Sequence, residues 1–468
     1  MVSAQQEPRI LILGGGVTGI IAARTLHERG IDNFLIIEAR NELGGRMRSH
    51  SFGNSTIELG ANWIQGTQEG DGPANPILVL AEKHGVKTHY NDLYGSLTTF
   101  DVTGAVDYVD TFNGYVNASD EVSVVAGARV QRGLVDASSR TGFSVIGSKP
   151  KTAQEIASQY FIFAQAPDQS SWLASAWNSN FTYVPEAGGF ADEDLLSVDQ
   201  RGFKTLIQEE ANEFLSPGQL LLNTTVAKIL YSEDGVMVSF ANGSTIEGDF
   251  ALCTFSLGVL QNDDVLFEPE LPAFKTEAIQ SSVMATYTKI FLKFPQKFWF
   301  DTEMAMYADT ERGRYPIWQS LDHPNFLPGS GILFVTVTGD FSIRIESLPD
   351  EVVKAEVLEV LATMYPETSI PEPTDFFFYR WNLDPLYRGS YSNWPPSFLV
   401  EHHGNLRANV ERLYFAGEAT SKHSYGFLHG AYDEGLQIAT ILADCIDTGK
   451  CDGLPHVEDV LNVHSYDL

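Results

Sequence analysis

Arg9 to Leu13 is a short apolar run ending at Gly14, and Gly14, Gly16 and Gly19 then fall in the spacing GxGxxG at the opening of a helical stretch that reaches Gly30. Strand, glycine turn and helix in that order leave little choice of fold. The glycines let the turn close tightly and let a ligand approach the backbone. The helix start offers unpaired amides and the positive end of its dipole to a pyrophosphate. Phe34 to Ile37 supplies a second buried strand, so the first forty residues predict a βαβ unit, hence a parallel sheet with a right-handed crossover. Glu38 closes that strand where a carboxylate accepts adenosine ribose hydroxyls. A nucleotide groove built from Gly14, Gly16, Val17, Thr18, Gly19, Glu38 and Ala39 is the expectation, with NAD and FAD both open at this point.

A chain of 468 residues has room for two to four lobes at about 100 to 200 residues each. From Ala227 to Ile246, short strand patterns are divided by Asp234-Gly235 and Asn242-Gly243, dipeptides suited to tight hairpins, which predicts a small antiparallel meander. Ala251 to Leu260 and Leu413 to Ala416 read as returns to the main sheet. Residues 85 to 200 and 285 to 395 are rich in aromatics and loop signals and lack the βαβ rhythm. Within them Tyr287 to Phe294 alternates, with Tyr287, Lys289, Phe291 and Lys293 on one face. The fold class expected is α/β and α+β. A discontinuous Rossmann-like nucleotide domain takes residues 1-84, 201-284 and 396-468, and a substrate domain with a mixed sheet flanked by helices takes 85-200 and 285-395.

Thirty Lys plus Arg against 61 Asp plus Glu give a net charge of −31, which repels phosphate backbones and argues against a nucleic-acid partner. The acidity serves either solubility or the steering of a cationic substrate. No apolar run approaches the roughly 18 to 20 residues that span a bilayer, so no membrane anchor is expected. The sequons at Asn54, Asn117, Asn180, Asn223 and Asn242 favour a secreted, glycosylated protein whose leader lies outside this chain, and leave an intracellular one open. Of three cysteines, Cys445 and Cys451 stand close enough to close a small oxidised loop, and Cys253 reads as buried core. No metal site is expected.

Beyond Glu38 the run Arg40-Asn-Glu-Leu43-Gly44-Gly45-Arg46 decides between the cofactors, because it resembles the flavin amine oxidase family. Gly60-Ala61-Asn62-Trp63, Gly417-Glu418 and Tyr425-Gly426-Phe427-Leu428-His429-Gly430-Ala431-Tyr432 are similar to segments of the same family. Tyr287 to Pro295 and Ser390 to Pro395 are similar to its polyamine oxidases of plant and fungal type. The resemblance runs nearly end to end. It implies a two-domain fold with non-covalent FAD, oxygen as electron acceptor and a small cationic polyamine as substrate; a monomer is compatible with it, the oligomeric state being left open.

By the same resemblance Glu38 holds adenosine ribose, Arg40 lies among the cofactor-binding residues, Gly45, Arg46 and Glu418 serve the phosphate and ribityl region, and Val226 backs adenine through its backbone. Gly60, Ala61, Asn62, Trp63, Trp381 and Gly417 complete the cofactor's surroundings. Gly426 and Leu428 present amides to the flavin pyrimidine edge, and a helix from near Gly430 turns its positive end toward the reduced ring. Lys289 is the implied catalytic residue, holding a water against flavin N5. Tyr391 and Phe427 wall the substrate amine, with Trp63, Gln65 and Tyr287 as neighbours.

Gln65 departs from the family, which carries an acid or a histidine there, and Gln165 stands near where plant enzymes have a second acid. Glutamine can bond an amine but not neutralise it. The acidic run Asp192-Glu193-Asp194 is either a solvated loop or a lining for distal ammonium groups. Rival readings are a monoamine or L-amino-acid oxidase and, in a different class, a flavin-binding scaffold without turnover.

Overall fold

A computed structural model describes residues 8–163, 166–178, 190–451 and 453–457. Its first sheet is wholly parallel, in the order Leu220–Leu221, Phe34–Ile37, Ile10–Leu13, Phe250–Cys253, Leu413–Phe415. The central strands are four-residue apolar runs buried on both faces, as a parallel sheet with covered faces requires. The Val17–Glu28 helix covers one face, and the Leu428–Thr448 helix returns from the far end of the chain to pack across it. Their approach is close because Gly435 has no side chain: a Cβ there would lie 2.5 Å from the Thr18 carbonyl oxygen. Thr18 Oγ1 donates to Ala431 O at 2.9 Å across the same crossing. The meander Val226–Tyr231, Val236–Phe240, Thr245–Gly248 covers the other face, turning where Asp234-Gly235 and Asn242-Gly243 stand.

The second sheet is mixed and seven-stranded. Its order is Asp375–Phe378, Tyr287–Lys293, Ile332–Thr338, Ile317–Ser320, Met304–Ala308, Leu97–Asp101, Gly104–Ala105, with only the Met304–Ala308 and Leu97–Asp101 pair parallel. The Asp350–Met364 helix packs Val353, Val357, Val360 and Leu361 against it. A 23-residue helix, Val109–Gln131, brings Phe112 onto Met304 and Met306. Between the two large sheets a small antiparallel one pairs Trp63–Gln65 and Thr88–Tyr90 with Asp194–Ser197. Cys445 and Cys451 form a disulfide at the end of the last helix, and Cys253 is buried. Among the described residues no helix is long and apolar enough to cross a membrane.

One ionic knot fastens the helices that back the first sheet. The Glu210 carboxylate, 1% exposed, accepts from Arg24 at 2.7 Å, Lys83 at 2.7 Å and His84 at 2.6 Å, so three elements meet on one acid. Burial alone would raise its pKa, but these partners outweigh burial and hold it down at about 2. Because the folded pKa lies below the ordinary glutamate value, the stabilisation is complete above about pH 4.5 and is lost as the pH falls toward 2. Glu210→Ala leaves Arg24 only the exposed Glu28 and Lys83 only the exposed Glu213, strips His84 of its carboxylate, and should cost about 3 kcal/mol. Thermal unfolding from pH 7 to pH 3 should show a wild-type midpoint that falls with acid and a variant midpoint that starts lower and falls less.

Candidate active site

The glycine turn and the residues after Glu38 form one surface. Gly15 N donates to Glu38 Oε2 and Arg40 N to Glu38 Oε1, both at 2.8 Å, which fixes the carboxylate at the strand end with lone pairs to spare for hydroxyl donors. Gly44 N donates to Gly15 O at 2.9 Å, seating the Gly44-Gly45 loop on the turn. Both loop glycines have left-handed φ, +129° and +58°, and a Cβ on Gly45 would approach Gly16 Cα to 3.2 Å. Thr224 N donates to Glu38 O at 3.0 Å, bringing the Val226 end of the meander to the same place. Gly16, the N-cap of the Val17–Glu28 helix, keeps open space: a Cβ there would meet nothing nearer than 3.9 Å. Open glycine backbone, unpaired helix-start amides and a fixed carboxylate fit a dinucleotide.

Some residues expected around the cofactor have other partners. A Cβ on Gly19 would lie 2.0 Å from Gly14 O, so this glycine serves helix-on-strand packing, and Thr18 is spent on Ala431. Arg40 Nε donates to Tyr387 Oη at 2.8 Å, and Nη2 binds Tyr379 and Asp384, so its guanidinium fastens the 379–387 segment. Trp381 packs against Tyr379 and Tyr387, its ring edge 3.2 Å from where a Gly60 Cβ would be.

Arg46 and Glu418 form a clasp, Nη1 to Oε1 at 2.8 Å, that also holds the 390–392 strand. Arg46 Nη1 donates to Ser390 O at 3.1 Å and Ser392 Oγ to Glu418 Oε2 at 2.6 Å. Gly426 N donates to Glu418 Oε2 at 2.7 Å and Phe427 N to Ser424 O at 3.2 Å. The Gly426 amide is thus turned into the protein, and the amides left at this corner are those of the helix start. That helix begins at Leu428, two residues before the expected Gly430, because Phe427 is already its extended N-cap.

Lys289 lies in the second sheet, 3% exposed, in a cradle supplied by the 58–63 segment. Its Nζ donates to Asn62 Oδ1 at 2.6 Å, Gly60 O at 2.7 Å and Glu58 O at 3.4 Å, and sits 4.8 Å from the Trp63 ring centroid. Burial, partly offset by the Glu58 charge, lowers its pKa to about 7. Lys293, on the same strand face, is half-buried and bears no such cradle. Trp63 is itself held: Nε1 donates to Asn91 Oδ1 at 2.8 Å, and Asn91 Nδ2 donates to the buried Glu303 at 2.7 Å.

Next to this cradle the sheet delivers aromatic walls. Tyr287 and Tyr391 have ring centroids 6.1 Å apart, and burial pushes the Tyr287 hydroxyl up to about 12. Gly426, with φ +82°, lies beneath Tyr391, whose ring is 3.2 Å from a Cβ built there, and Phe427 stacks on His429 at 5.1 Å. Gln65 stands opposite Asp194 in the antiparallel ladder, two residues along from the Trp63–Leu196 pair, so Trp63, Gln65 and Asp194 share a face. Burial raises Asp194 to about 6, with Asp192 adding to the rise and the Gly66 amide opposing it. Thr67 Oγ1 donates to Glu193 at 3.1 Å. Gln165 lies outside the described residues.

Sequence reading passed over Glu58, Asn91, Glu303 and Ser392. Glu58 carried a faint signal, an acid at the end of the Ser55–Glu58 strand two residues before Gly60. Asn91 and Glu303 are brought to Trp63 by strands 212 positions apart, a pairing that no local pattern announces.

A parallel nucleotide-binding sheet joined to a mixed sheet that carries a buried lysine between aromatic walls defines a two-domain flavoprotein oxidoreductase. The family model described as flavin containing amine oxidoreductase matches residues 17–443. Polyamine oxidase 6 of Oryza sativa subsp. japonica is 35% identical over 96% of this chain and 94% of its own, and polyamine oxidase 1 of Zea mays is 35% identical over 96% and 93%. Wild-type putrescine oxidase bound to putrescine superposes with a TM-score of 0.72 at 17% identity, covering 93% of this chain and 99% of that one, a likeness of fold. The chain belongs to the flavin-containing amine oxidoreductase family and is an FAD-dependent amine oxidase.

Proposed function

We propose that the protein oxidises polyamines of the spermine and spermidine type with oxygen, releasing an aminoaldehyde, a smaller amine and hydrogen peroxide. The observation that carries the reading is the ladder register that sets Asp194 beside Gln65 on the face of Trp63. A polycation needs a carboxylate near its charged nitrogens and an apolar slot for the carbon that reacts, and this face offers both. The polyamine oxidases of rice and maize, alike over nearly the whole chain, support it.

FAD, when bound, accepts hydride from the carbon beside nitrogen and passes the electrons to oxygen. The protein's residues do the rest. Glu38 and the Gly14–Gly16 turn hold the nucleotide end, and Arg46, fixed by Glu418, neutralises phosphate. Tyr391 and Phe427 exclude water around the substrate carbon, with Tyr287 behind Tyr391. Lys289, held by Asn62 and Gly60, positions a water for proton movement and imine hydrolysis. Non-covalent FAD is part of the proposal, supported by the cysteines: Cys445 and Cys451 are joined to each other and Cys253 lies within the first sheet.

The screen that tests this couples peroxide formation to spermine, spermidine, their acetylated forms, monoamines and amino acids, with product identification. Turnover of monoamines or amino acids in preference to every polyamine would overturn it. Replacing Asp192, Glu193 and Asp194 with their amides should raise KM for spermine about tenfold and leave kcat nearly unchanged, since the lost attraction is to nitrogens that do not react. An unchanged KM would return the run to a solvated loop.

An extracellular location is part of the proposal. The Cys445–Cys451 disulfide supports an oxidising compartment, and Asn54, Asn117, Asn223 and Asn242 are all exposed; Asn180 lies outside the described residues.

A further inference from the structure

Beside the cradle of Lys289, and sharing Glu58 and Asn62 with it, a small cavity is lined by Thr56, Glu58, Asn62, Ser197 and Asp199 over a floor of apolar residues that includes Phe291 and Phe334. The Ser197 hydroxyl oxygen is buried there without a hydrogen-bond partner among the described residues, and Asn62 joins the cavity to Lys289 through its 2.6 Å bond. A polar pocket with an unpartnered hydroxyl is a place for water. Glu58, 8% exposed, accepts from Phe203 N at 2.8 Å and from Ser49 Oγ at 3.0 Å, and among the described residues neither Glu58 nor Lys289 makes an ion pair. A buried acid therefore borders the cavity, and a buried amine is held by the same Glu58–Asn62 segment, through the Glu58 carbonyl and the Asn62 side chain.

We propose that Glu58 and Lys289, held together by the 58–62 segment, share one proton, so that Glu58 is the positioning residue that decides whether Lys289 enters the reaction charged or neutral. The transfer breaks one Nζ–H bond and forms one Oε–H bond. The pair passes from ammonium and carboxylate to amine and carboxylic acid, with no change in net charge and nothing oxidised. The proposal rests on the reading of Lys289 as the catalytic lysine.

The two groups are poised for the exchange, because burial raises Glu58 to about 7 while it lowers Lys289 to about 7. Glu58 is also faced by Lys204, which pairs with Glu42 at 2.5 Å. Asp199, on the cavity wall, is committed to Arg201 and to the Lys87 amide. Among the described residues, Lys289 is thus the one charged neighbour of Glu58 that is not already engaged by an opposite charge.

The test uses holoenzyme and two readouts. Infrared spectra across pH should show the carbonyl stretch of a protonated carboxylic acid that is absent in Glu58→Gln. In Lys289→Met that band should persist to a pH about one unit higher, since the ammonium that favours the carboxylate is gone. In anaerobic flavin reduction, an inflection lost in Lys289→Met should move about one pH unit downward in Glu58→Gln and return in Glu58→Asp. A band whose titration ignores Lys289→Met overturns the sharing, and so does an inflection that Glu58→Gln leaves in place. If the band moves but Lys289→Met reduces flavin with the wild-type pH profile, the catalytic reading of Lys289 fails and the sharing stands. Should Glu58→Gln not accumulate, the band shift in Lys289→Met, read against wild type, decides.

Discussion

Lys289→Met is expected to slow flavin reduction or reoxidation by about a hundredfold or more, the usual loss when a positioned proton-transfer group is removed. The site predicts this size of effect because Nζ is the only cation beside Tyr287 and Trp63 in the described structure that is directed by three oxygens of one segment. Methionine matches the length and suits the burial, and the Tyr287–Lys293 strand keeps its ladder on both sides through backbone bonds that the change does not touch. FAD should still bind, since Lys289 touches no part of the nucleotide groove. Stopped-flow measurement of the two half-reactions separates the outcomes: one slowed step locates the role of the lysine, and wild-type rates for both remove it from the mechanism.

The second large effect belongs to the glycine turn. Gly16→Ala should yield a folded protein that has lost FAD, with affinity down at least about tenfold. Gly14→Ala should fail earlier, at folding. At Gly16 the backbone is extended, φ −79° and ψ −174°, which alanine adopts freely, and among the described residues, its chain neighbours and own helix backbone aside, the atom nearest the added carbon is Gly45 Cα at 3.9 Å. What the methyl fills is the approach reserved for phosphate. At Gly14, φ is +123° and the added carbon would sit 2.4 Å from Thr254 Oγ1, so strain and collision come together. Absorbance after FAD titration, set beside the unfolding midpoint of each apoprotein, checks both. Normal FAD affinity in folded Gly16→Ala would mean that the groove lies elsewhere.

The nucleotide half was legible because its signals are local. The strand Ile10–Leu13, the helix Val17–Glu28 and the strand Phe34–Ile37 stand within a residue of expectation, since an apolar run, a glycine turn and a helix stop are written in consecutive residues. The hairpin dipeptides placed the meander for the same reason. The Val109–Gln131 helix was hidden because Gly114, Asn117, Ser119 and Gly127 interrupt its polar face, while the pattern that forms it, Phe112, Tyr115, Ala118, Val122 and Ala126, is carried partly by small residues. Lys289 was reached through the resemblance; by alternation alone it could not be told from Lys293. Its cradle was not legible, because Glu58, Gly60 and Asn62 meet it from about 230 positions away and only the folded sheets bring them together. Arg40 and Gly426 were placed by the motif alone, and the partners of their donors, Asp384 and Glu418, were out of reach for the same reason.

The central claim is that the groove and the lysine-bearing aromatic slot act on one cofactor and one amine. Anaerobic mixing of the purified, FAD-loaded protein with spermine tests it most directly, read as the visible absorbance of the flavin. The account predicts that the yellow colour bleaches in a single turnover and returns when oxygen is admitted, with peroxide formed. A protein that stays colourless after incubation with FAD, or one whose flavin spectrum no amine alters, would contradict it.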